Sequence, residues 1–135
     1  MGACLFVARG LNFDVDRYLA SSPFKAVRVY RKGDVPPKNN PEQQVRVDSG
    51  FAVVVSGDYE IGLSQQLKEA LAFLDQHEAE LQAMREVGVD DMRLDLGLEV
   101  GDKMQQVEYL PPELIERLGR LGMGVIFSVV QLPRG

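Results

Sequence analysis

Asp90, Asp91, Asp95, Glu99 and Asp102 fall within one short stretch, VDDMRLDLGLEVGD. Carboxylates at that density are the raw material of a cation site, which needs oxygens converging within about 2.5 Å of one point. Their spacing argues against convergence. Met92, Leu94, Leu96, Leu98 and Val100 alternate with Arg93, Asp95, Gly97 and Glu99, the period of a strand with one face in the core and one in water. Asp95 and Glu99 then share the outer face, about 13 Å apart along the strand. Arg93 lies between Asp91 and Asp95 in sequence. The stretch reads as a charged solvent face that keeps a strand soluble.

Other chemical motifs fall short in the same way. HEAEL, beginning at His77, opens like a zinc-protease helix, but Leu81 stands where the second histidine belongs and His77 is the sole histidine. A solvated helix position is expected for it. GRLGMG, from Gly119, follows a helix and precedes a strand, whereas a phosphate cradle needs strand, glycines and then helix. Cys4 sits inside an apolar run, where a thiol is expected to be buried and inert. LFVARGL from Leu5 and SGFAVVVS from Ser49 resemble the paired signatures of RNA-recognition modules, whose aromatics stack on bases. Ser49 replaces the basic residue of that pattern, and Val53 and Ser56 replace two aromatics, so Phe51, Val53 and Val55 are better assigned to the core. These residues identify no catalytic, cofactor-binding or metal-ligating group.

Bulk properties narrow the class further. A chain of 135 residues, 45% hydrophobic and 26% charged, has the composition and length of one globular domain, spanning residues 1–135. The net charge of −5 disfavours nucleic acid, whose phosphates draw affinity from Lys and Arg. One cysteine allows no internal disulfide and suits a reducing cytoplasm. The apolar run Ala3 to Ala8 is too short for a signal-peptide core, Phe6 spoils a myristoylation pattern, and no stretch approaches the roughly 20 apolar residues of a membrane span.

The elements that would hold such residues are legible. Residues 3–9 predict an inner strand. Asn12 or Asp14 caps a short helix carrying Val15, Tyr18 and Leu19, ended by Ser21, Ser22 and Pro23. Lys25 to Arg31 alternates as a half-exposed strand, with Val27 and Val29 to one side. Residues 32–48, with Pro36, Pro37 and Pro41, predict a long loop or hairpin tip. Phe51 to Ser56 is a second two-faced strand. One amphipathic helix is expected from about Leu63 to Val87, with Leu67, Leu71, Leu74, Leu81 and Met84 on its stripe and Gly88 as its stop. After the alternating strand, Pro111 and Pro112 open a helix that Gly122 ends, and Met123 to Val130 is a final strand, apolar on both sides.

The order β-α-β-β-α-β-α-β predicts an α+β fold: a ferredoxin-like βαββαβ unit extended by a C-terminal αβ, with a largely antiparallel sheet and helices on one face. The first and third strands should be central and the second an edge. The fifth, added beyond the fourth, would be an uncharged edge that invites pairing with another chain. The uncovered face would present Phe6, Val54, Ile126 and Val130, or their neighbours of opposite parity.

From FVARGLNFDVDRYL through the long helix to LPPELIERLGRLGMGVIFSVV, the chain resembles the bacterial domain-of-unknown-function family 4279 over nearly its whole length. The resemblance rests on hydrophobic spacing and on the Leu-Pro-Pro-Glu-Leu ending. That family carries no established activity, so it implies no catalytic residue. By analogy, some small acidic bacterial domains act as immunity partners.

Two functional expectations follow. The first is a non-enzymatic interaction protein, a homo-oligomer or a protein's partner, meeting it through an apolar sheet face or the last strand, with no nucleic acid and no membrane involved. Net charge −5 would steer it toward a cationic protein. The second is a small-molecule-binding or catalytic domain with a pocket between the sheet and the 32–48 loop, lined by Arg28, Tyr30, Asp95 and Glu99.

Overall fold

The computed structural model describes residues 3–35, 45–56, 62–100 and 108–131, with the side chains of residues 99, 100, 130 and 131 outside that description. Its elements run β1 (Cys4–Gly10), α1 (Val15–Ala20), β2 (Arg28–Tyr30), β3 (Ser49–Val54), α2 (Leu63–Gln76), α3 (Glu78–Gln82), a 3₁₀ turn (Ala83–Val87), β4 (Asp91–Val100), α4 (Pro112–Leu121) and β5 (Gly124–Gln131). The fold is α+β, and the described residues form four α-helices and a five-stranded, mostly antiparallel sheet in the order β2-β3-β1-β4-β5. No described helix is long and apolar enough to cross a membrane.

β1 is the hub. It pairs antiparallel with β3 on one side and β4 on the other, Phe6 lying opposite Val53 and Leu94. Cys4, Phe6 and Ala8 point to the helices and are fully buried, while Leu5, Val7 and Arg9 lie on the open face, half-buried. Phe6 is therefore a core residue, and its neighbours of opposite parity take the outer position anticipated for it. The period of two leaves no other choice once the ring is inside.

Aromatic rings fill the centre. Phe6 lies 5.9 Å from Phe24, 6.1 Å from Phe51 and 5.7 Å from Phe73, centroid to centroid. Phe13 and Tyr18 extend the cluster onto Phe51. Around them pack Leu67, Leu74, Leu81, Met84, Leu94, Leu96, Leu114 and Leu118. Asp14 caps α1 by accepting from the Arg17 amide at 3.2 Å, as anticipated.

Three expectations change. The second strand is only Arg28–Tyr30, and Val27 is exposed. Its continuation is a tied loop: Gly33 N donates to Arg46 O at 2.8 Å and Arg46 N to Asp34 O at 3.0 Å, closing the described ends of the 32–48 segment on each other. Residues 36–44 of that segment lie outside the described residues. The single helix 63–87 is three pieces, bending at His77, where φ is −111°. Leu81 N still bonds His77 O, so the apolar stripe survives the bend and wraps the core. Gly88 ends the run with φ of +102°, the left-handed backbone a glycine takes most easily. His77 itself is half-buried and packs on Phe73 and Phe24, with centroids 4.8 and 5.0 Å away, in place of the solvated position expected.

Where the ladders on either side of β1 start, side chains replace missing backbone partners. Gln66, 1% exposed, accepts from Gly97 N at 3.1 Å and donates to Gly97 O at 2.9 Å. Buried Ser56 accepts from Cys4 N at 3.0 Å. β4 and β5 run parallel, which requires a crossover, and α4 supplies it.

Phe6→Ala should destabilise the fold by about 3–5 kcal/mol, read from urea denaturation, because a buried ring with ring neighbours leaves a cavity that cannot close. Gln66→Leu should cost about 2 kcal/mol, since it strands two polar groups of Gly97; a shift of a few tenths in the same assay would contradict the role given to Gln66.

Candidate functional site

The face opposite the helices carries an ordered set of charges. Register sets them in rows: Tyr30, Gly50, Arg9 and Asp91 in one, Arg28, Ala52, Val7 and Arg93 in the next, then Val54, Leu5, Asp95 and Ile126. Asp91 accepts from two arginines at once. Arg93 clamps it with Nε at 2.9 Å and Nη2 at 2.7 Å, and Arg9 reaches it with Nε at 3.1 Å and Nη2 at 3.0 Å. Arg9 also approaches Asp48 at 3.7 Å, and Arg46 holds Asp48 at 2.9 Å. Arg46 lies over Tyr30, its guanidinium carbon 4.6 Å from the ring centre. A continuous ladder results: Arg46, Asp48, Arg9, Asp91, Arg93.

Sequence reading missed this ladder. Its signals were present as Arg46-Val-Asp48 and Asp91-Met-Arg93, opposite charges two apart and so on one face of an extended chain. What joins them is Arg9, and only the β1–β4 register sets Arg9 opposite Asp91.

Of the four residues proposed to line a pocket, the three whose side chains are described are not gathered. Arg28 and Tyr30 stand on β2 and Asp95 on β4, with β3 and β1 between them, about 14 Å of sheet at the usual strand spacing. Asp95 accepts instead from Ser128 Oγ at 2.6 Å on the neighbouring strand. The Glu99 side chain lies outside the described residues. A recess of about 380 Å³ opens on the helical side, lined by Ser64, Leu67, Lys68, Glu108, Tyr109 and Pro111, away from the ladder.

The charges of the open face are paired with one another. Arg93 first, then Arg9, hold the Asp91 carboxyl below the ordinary aspartate value, which makes it a poor base. Among the described residues no three His, Cys, Asp or Glu side chains are grouped to hold a metal. Cys4 is fully buried and its thiol is pushed up to about 12, chiefly by burial and then by Asp95 and Glu69. Burial first, and then its hydrogen bond to Glu80, raise Tyr18 well above an ordinary phenol. Phe6 and Phe51 are fully buried and cannot stack on bases.

β5 presents a different surface. It is the outermost strand beyond β4, and its eight residues, GVIFSVVQ, contain no charge and no proline. Phe127 and Val129 share the helical side with Leu96 and Leu98 by register, yet they are 42% and 57% exposed. On the open face its Ile126 is half-buried. The other edge, β2, is three residues long and begins with exposed Arg28.

In comparison with known proteins, the chain matches no family model, no curated protein and no solved structure.

The ladder has a testable pH signature. The folded pKa of Asp91 lies below its unfolded value. The stability it contributes is therefore complete above the unfolded value, near about pH 4, and is lost as pH falls through the lower folded value. Asp91→Asn should lower stability at neutral pH by about 1 kcal/mol, the upper range for a part-exposed pair. The gap from wild type should close in acid, and urea midpoints measured across the acid range would show a constant gap if the ladder contributes nothing.

Proposed function

We propose that this chain is a non-enzymatic protein-interaction domain that meets its partner through β5, with the adjoining sheet face as a secondary contact. One observation carries the reading: β5 is a long, uncharged, proline-free edge with two exposed apolar side chains. Natural edges are shortened, charged or covered to prevent strand addition, and β5 has none of the first two protections. Backbone pairing at an edge supplies affinity, and the flanking side chains supply selectivity.

The open face ranks second because it is not uniformly apolar. Leu5, Val7, Ala52, Val54 and Ile126 form its apolar part, and the arginine–aspartate ladder crosses the rest. A partner there must satisfy arginines already bound to aspartates, which favours specificity over affinity. An immunity-like role toward a cationic protein is the concrete version of an open-face contact, given the net charge of −5. The buried, inert Cys4 fits a cytoplasmic setting.

The same reading takes β1 to β4 as a ferredoxin-like unit with α4 and β5 appended. Support comes from the order β2-β3-β1-β4 and its antiparallel ladders. The likeness to domain-of-unknown-function family 4279 belongs to this proposal and adds no activity to it.

A synthetic peptide with the β5 sequence and a solubilising lysine tail is the probe. Titrated into the labelled protein, it should move amide resonances along β5 and β4, while the same peptide with a central proline should not. Shifts confined to Arg9, Asp91 and Arg93, or no shifts at all in protein dilute enough to be monomeric, would reject the edge as the binding element.

A further inference from the structure

We propose that the occupant of the β5 edge is β5 of a second copy of this chain, antiparallel, so that two five-stranded sheets join into one continuous sheet with helices on the same side. The proposal rests on the interaction reading given above and names the partner for that site.

Three observations converge on a second copy. The first is charge. The chain carries −5, so two copies repel unless they meet where neither is charged. In a sequence that is 26% charged, β5 has no charged residue along its eight positions. An edge of that kind also gives a cationic or anionic stranger nothing to select.

The second is the asymmetry of the two edges. β2 is short and carries exposed Arg28, which suits an edge kept free of partners. β5 is eight residues long, about 26 Å of backbone with no described strand beyond it. Among the described residues only one edge of this sheet lacks the ordinary protection, so pairing there closes after two copies and cannot propagate into a fibre.

The third is self-complementarity. A twofold axis perpendicular to the sheet preserves sidedness, so helical-side residues meet helical-side residues. With the axis at Phe127, that residue faces its own copy and Val129 faces Val125. With the axis at Ser128, Phe127 faces Val129. Both registers cover Phe127 and Val129, the exposed apolar pair, with apolar side chains of the same strand. On the open face, Ile126 and Ser128 oppose each other in the first register. The ladder of Arg9, Asp91 and Arg93 lies on β1 and β4 and stays clear of the seam.

Sedimentation equilibrium across low to high micromolar protein provides the test. Wild type should pass from 15.0 kDa to twice that mass. Phe127→Lys and Val129→Lys, at positions already exposed and so tolerant of a charge in the monomer, should each hold the mass at 15.0 kDa with an unchanged circular dichroism spectrum. Should either variant unfold, hydrogen exchange on wild type decides: alternate β5 amides should gain protection as concentration rises. A wild type that stays at 15.0 kDa throughout, or a dimer indifferent to both folded variants, overturns the proposal. A chain that stays monomeric yet binds the β5 peptide would overturn the second copy and leave the interaction reading standing.

Discussion

The position of one ring, Phe6, decides which way every other residue of the sheet faces. It is fully buried between Phe24, Phe51 and Phe73 at the centre of the central strand. With Phe6 inside, the period of two turns Leu5, Val7 and Arg9 outward, and the paired registers carry Asp91, Arg93 and Asp95 to the same side. A one-residue slip of β1 would expose the ring and drive Arg9 into the core, and the same slip of β4 would do so to Asp91. Burying those charges costs far more than any ladder contact returns. The aromatic core thus sets the geometry of the charged face, and that face guards the register in return.

Seen in that light, the arginine–aspartate ladder acts chiefly on specificity. Each of its pairs is part-exposed, with side chains from 16% to 36% accessible, and pairs of that kind contribute about 0–1 kcal/mol apiece. Their penalty for misalignment is larger than their reward. The same economy governs the start of β1, where the strand runs out before its neighbours do. Ser56 satisfies the Cys4 amide, and Gln66 satisfies both polar groups of Gly97. Buried polar residues here complete a ladder that the backbone alone leaves unfinished.

Much of this was legible in the sequence because it is local or periodic. The alternation from Met92 to Val100, the Asp14 cap, and the glycine stops at Gly88 and Gly122 all appear where pattern predicts them. The inner positions of the first and third strands followed from their apolar residues on both faces. What pattern could not give was parity and register. A strand such as Leu5-Phe6-Val7 is apolar either way round, so nothing local says that Phe6 faces in. The break at His77 was hidden for a related reason: the apolar stripe runs on through it, so the spacing of Leu74, Leu81 and Met84 reads as one helix. The ladder needed Arg9 opposite Asp91, a contact between residues 82 apart in sequence. The pocket drawn around Arg28, Tyr30, Asp95 and Glu99 erred by treating polar residues of one face as neighbours, when two strands stand between their carriers.

β5 is where the demands of the fold remain open. Its parallel pairing to β4 through α4 turns β4 from an edge into an inner strand, on whose outer face Asp91, Arg93 and Asp95 are already paired. β5 brings one such residue, Ser128, and no charge. Val125, Phe127 and Val129 face the helical side, yet exposure rises along the strand from half-buried Val125 to Val129 at 57%, so cover thins toward its end. An inner strand wants apolar residues on both faces, and an edge strand wants charge, brevity or proline. The composition of β5 is that of an inner strand and its position is that of an edge. A sixth strand beside it would resolve the conflict, and among described residues the chain supplies none of its own.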